Sequence, residues 1–74
     1  MRPDKAQRVA FMLGVKGFAP DCIGISESGE QVNVLIKSLD DDAMLRLLLV
    51  SAAGNVSITV ARALNPELLK VVLI

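Results

Sequence analysis

Residues 44–55 read MLRLLLVSAAGN. Wound into a helix, this segment is apolar on almost every side, whereas a surface helix carries one apolar stripe. A chain of 74 residues has little interior in which to hide such a helix. Any fold must cover the segment from more than one direction or leave part of it for another molecule.

Little else in the sequence can hold a small fold together. Small domains are commonly stapled by disulfides, a metal or a partner. One Cys excludes an internal disulfide, and without His there is no zinc site, which needs about four N or S ligands. No cofactor and no metal are expected. The residues AVILMFWYC make up 53% of the chain, yet only Phe11 and Phe18 are aromatic. The core must be aliphatic, and close packing or self-association must supply the stability.

Formal net charge is zero, but the charges are segregated. Arg2, Lys5, Arg8 and Lys16 against Asp4 make residues 1–20 basic. Asp21, Glu27, Glu30, Asp40, Asp41 and Asp42 against Lys37 make residues 21–42 acidic. Residues 43–74 are mildly basic again. No strong overall field draws nucleic acid, and near-zero net charge favours self-association. Val9–Val15 is a short apolar run with Asp4 before it and Lys16 after it, which does not fit a signal peptide. No stretch approaches the ~18 apolar residues of a membrane span. With a single unpaired Cys, the expected compartment is the cytoplasm.

The chain reads as one domain, residues 1–74, of short, clearly punctuated elements. Ala6, Val9, Ala10 and Leu13 share one helical face, so Pro3–Leu13 is expected to be a helix with Gly14 closing it. Cys22–Glu27 and Gln31–Ser38 read as a hairpin around Ser28-Gly29. That register sets Ile25 opposite Val32, Gly24 opposite Asn33 and Ile23 opposite Val34. It gathers Ile23, Ile25, Val32, Val34 and Ile36 on one face.

Ser38-Leu39-Asp40-Asp41 resembles a capping box ahead of a helix over about Asp40–Ala53. Three Asp in its first turn suit the positive end of the helix dipole. Val56–Leu64 alternates as a strand. Asn65-Pro66-Glu67 then reads as a helical turn, followed by a terminal strand from Val71 to Ile74 or, alternatively, by a short helix using Leu68, Leu69, Val72 and Leu73.

The expected fold is a small α+β, α-β-β-α-β(-β) two-layer sandwich. Two helices pack on one face of a three- or four-stranded, mostly antiparallel sheet. The stripe Leu45, Leu48, Leu49 and Ala52 is expected to face that sheet, with Met44, Leu47 and Ser51 flanking one side and Val50 and Ala53 further round, with Arg46. Exposed large side chains forfeit roughly 1.5–3 kcal/mol each and mark contact sites. The terminal strand is expected at a sheet edge open to pairing. Either the fold closes over all of this, or Met44, Leu47, Val50, Leu73 and Ile74 contact a protein partner, self or other.

Residues that could carry chemistry are few. Cys22 is the strongest nucleophile, but thiol catalysis needs a base, usually His. Asp40, Asp41 and Asp42 point about 100° apart on a helix and cannot converge on one cation. Glu27 and Glu30 flank an exposed turn, and the serines lack both His and a nucleophile-elbow context.

Gly14-Val15-Lys16-Gly17 resembles the GxxG loop of KH domains, which clamps a nucleic-acid backbone. That resemblance implies an alternative, nucleic-acid-binding role for Arg8, Gly14, Lys16 and Gly17. The α-β-β-α-β order also resembles BON domains and the ring-building modules of secretion systems, which implies envelope binding or ring assembly. The first expectation from the residues themselves is a non-enzymatic interaction module, self-associating or part of a larger assembly.

Overall fold

The computed structural model describes all 74 residues. Helix α1 spans Pro3–Val15, strands β1 and β2 span Ile23–Ile25 and Val32–Ile36, helix α2 spans Asp41–Gly54, and β3 and β4 span Ile58–Arg62 and Leu69–Leu73. A single 3-10 turn, Pro20–Cys22, leads into β1. The sheet order is β1-β2-β4-β3, antiparallel throughout. This is the α+β sandwich expected from the sequence, with the ambiguous last segment resolved as a strand.

The hairpin adopts the register that alternation dictates: Ile23 opposite Val34, Gly24 opposite Asn33, Ile25 opposite Val32. A one-residue slip would turn Val32 and Val34 away from the core, so the register is strongly specified. Both valines are fully buried. Val71 and Leu73 of β4 join them, and Leu47 and Val50 of α2 close over these four together with Ala6, Val9 and Leu13 of α1. Phe18 is the one aromatic side chain in the core.

Helix ends correct two sequence readings. Gly14 lies within α1; the closing residue is Gly17, at φ +97°. Gly17 N–H donates to the Gly14 carbonyl and Phe18 N–H to the Leu13 carbonyl, which ends the helix and drops Phe18 into the core beside Leu13. An added Cβ at Gly17 would stand 3.1 Å from an Arg46 Nη atom. Gly17→Ala is expected to lower stability by about 1–2 kcal/mol, because an L-residue strains in this backbone region. Urea denaturation followed by circular dichroism at the helix band measures it.

The second correction concerns α2. Its cap is Asp40, whose carboxylate accepts from Ala43 N–H at 2.8 Å, rather than Ser38. Asp40→Ala should cost about 1 kcal/mol in the same assay, whereas Ser38→Ala should change little.

The terminal segment is corrected as well. Asn65 makes a turn, with its side chain accepting from Glu67 N–H, and the strand begins at Leu69. β4 then inserts between β2 and β3 instead of lying at an edge. Its β-branched Val71-Val72 suits that central position. The two edge strands are β1, three residues long, and β3, five residues long.

Candidate functional site

A helix apolar all round must choose which stripe to bury, and α2 buries Ala43, Leu47 and Val50. The choice follows side-chain size. Val9 and Met12 of α1 approach so closely that a Cβ on Gly54 would meet them at 3.2 and 3.1 Å. The face built from Ala43, Leu47, Val50 and Gly54 is slim enough for that approach. A face built from Leu45, Leu48 and Leu49 is not.

The expected orientation of α2 is therefore reversed. Leu47 is fully buried and Val50 nearly so, which takes both out of any contact surface. Leu45, Leu48 and Leu49, expected against the sheet, are 58, 53 and 47% exposed. Met44 stays on the surface beside them. Leu73 is also buried in the core, whereas Ile74 is half-exposed, its backbone paired with Ser57.

Arg46 fixes how α2 is rotated. Its guanidinium donates to the Lys16 carbonyl at 3.0 Å, pairs with Asp42 at 2.9 Å and lies 4.9 Å from the Phe18 ring centre. That flank of α2 thus faces the end of α1. The opposite flank carries Met44, Leu48 and Ser51, and the Ser51 hydroxyl donates to the Val56 carbonyl just before β3. Met44 and Leu48 thus lie on the flank toward β3, an edge strand on which Val60 is itself exposed, whereas Leu45 points outward and Leu49 lies toward Arg46.

The other sequence candidates are placed apart from this surface. Gly14 and Lys16 are exposed at the end of α1, and Arg8 is exposed on its side. The segment is a helix end followed by a turn and a strand, without the second helix of a GxxG loop. Its amides are spent internally: Lys16, Gly17 and Phe18 N–H groups donate to the Met12, Gly14 and Leu13 carbonyls. None of these three is free for a phosphate. The acidic run diverges, with Asp40 capping α2 and Asp42 paired to Arg46. No group of three His, Cys, Asp or Glu side chains comes together in a way that could hold a metal ion.

Two further features were not anticipated. Phe11 and Val15 project from α1 near Ile25, all three exposed. Phe11 lies off the Ala6-Val9-Ala10-Leu13 stripe, which was the available signal. Asp4, Lys5, Gln7 and Arg8 share its flank of α1. On the helix-free face of the sheet, Cys22, Asn33, Leu35, Leu64, Leu68 and Lys70 border an open depression of about 620 Å³. The Asn33 side-chain oxygen is buried there without a hydrogen-bond partner.

Fold and surface together define a small α+β domain that carries an apolar helix face beside an open strand. No helix is long and apolar enough to cross a membrane. The chain matches no family model, and no curated protein or solved structure is significantly similar to it.

Proposed function

We propose that this protein is a non-catalytic interaction module that self-associates through the outer face of α2. The observation that carries the reading is the stripe Leu45, Leu48 and Leu49, about half-exposed on a helix whose other face is already committed to the core. Contiguous apolar surface of this kind usually marks a contact. Zero net formal charge removes the long-range repulsion that would keep copies apart. The nucleic-acid alternative loses support because the Gly14–Gly17 amides already serve the helix end.

Methyl NMR over a dilution series tests the reading. The Leu45, Leu48 and Leu49 signals are expected to move with concentration while those of Val32 and Val71 stay fixed. Invariant signals for all three leucines would sink it.

A further inference from the structure

We infer that two copies join edge to edge through β3, in antiparallel register about a two-fold axis at Val60. The inference rests on the self-association proposed above and specifies its geometry.

The backbone dictates the register. Ser57 and Ile74 exchange both of their hydrogen bonds, each 3.0 Å long. Hydrogen-bonded pairs alternate along an antiparallel ladder. Thr59 and Ala61 therefore spend their groups on Val72 and Lys70, their partners in β4. Ile58, Val60 and Arg62 turn their N–H and C=O groups toward the open edge. These three positions are symmetric about Val60. In a two-fold pair, Val60 meets Val60 of the second copy, and Ile58 meets Arg62 of the second copy. Every outward backbone group then finds its complement without a shift.

Side chains agree with that pairing. Val60 shares the helix-covered face of the sheet with Val71, its partner in β4, yet is 43% exposed. Edge strands are normally blunted by a charge, a proline or a bulge. β3, Ile-Thr-Val-Ala-Arg, carries one charge, at its last position. Continuing the sheet places both α2 helices on the same face, with the Met44 and Leu48 flank of each copy turned toward the joined edge.

The area suits a second copy. Met44, Leu45, Leu48 and Val60 leave on the order of 350 Å² exposed per copy, within the range of the largest apolar patch on a small protein, which is often a functional surface. Thr59, Ala61 and Arg62, exposed on the same strand, extend this surface along the edge. The dimer should be reversible, its population rising with concentration.

Amide hydrogen exchange on the whole chain, from micromolar to millimolar concentration, reads the pairing directly. Exchange at Ile58, Val60 and Arg62 is expected to slow about tenfold or more as the dimer forms. Thr59 and Ala61, bonded to β4 throughout, should not change. In a Cys22→Ser background, Val60→Cys should oxidise to a disulfide-linked dimer, since paired Cα atoms ~5.5 Å apart suit the bond. A chain that self-associates while those three amides exchange as in the monomer, and that does not cross-link, overturns the β3 pairing and leaves the α2 contact standing. A chain that stays monomeric at every concentration overturns both.

Discussion

Leu47→Asp is expected to unfold the protein. Leu47 is fully buried in the layer between the sheet and α1. Truncating a buried Leu alone costs about 2–5 kcal/mol. A carboxylate at the same place has no basic partner in the core, whose members are all apolar, and adds the penalty of an unpaired buried charge. At roughly 0.05–0.15 kcal/mol per residue, a chain this size holds about 4–11 kcal/mol in total. Circular dichroism should lose its helix band, and denaturation should no longer be cooperative. A cooperatively folded Leu47→Asp would mean that α2 presents a different face to the sheet.

The paired change Leu45→Asp with Leu48→Asp is expected to do the reverse. Both side chains are more than half exposed, so two carboxylates there remain hydrated and the fold survives. Thermal stability should move by no more than a few degrees, as for ordinary surface substitutions. Self-association should weaken by about 100-fold or more, because each copy loses apolar contact and gains like charges facing those of its neighbour. Equilibrium sedimentation of the folded variant measures this. An undiminished dimer would remove the outer face of α2 from the interface.

These opposite outcomes, at neighbouring positions of one helix, mark where the sequence was legible and where it was not. The hairpin register could be read in advance because Ile23, Ile25, Val32 and Val34 alternate with polar residues or glycine. Period-two patterning leaves only one register that buries the set. The order of elements was legible for the same reason, since Gly, Pro and Asn punctuate short periodic segments.

The face of α2 was not legible. Leu45-Leu48-Leu49-Ala52 and Ala43-Leu47-Val50-Gly54 satisfy the same helical spacing. Periodicity cannot choose between two apolar stripes. The selection came from α1, whose Val9 and Met12 require a slim partner at Gly54. That is a tertiary constraint invisible to a single helix. The edge strand was hidden in a similar way. Both C-terminal strands are short and β-branched, and only the insertion of β4 between β2 and β3 decides that β3 keeps its open edge. The apparent GxxG loop is legible in retrospect as a helix end, with Gly17 supplying the left-handed residue.

Molar mass by light scattering behind a sizing column, over a wide range of loading concentrations, tests self-association most directly. Refractive-index detection is required because the chain has no Trp or Tyr. The expected result is a mass that rises with concentration from one copy toward two, reaching a plateau at the dimer. A mass that stays at 7.9 kDa at every concentration would contradict the account.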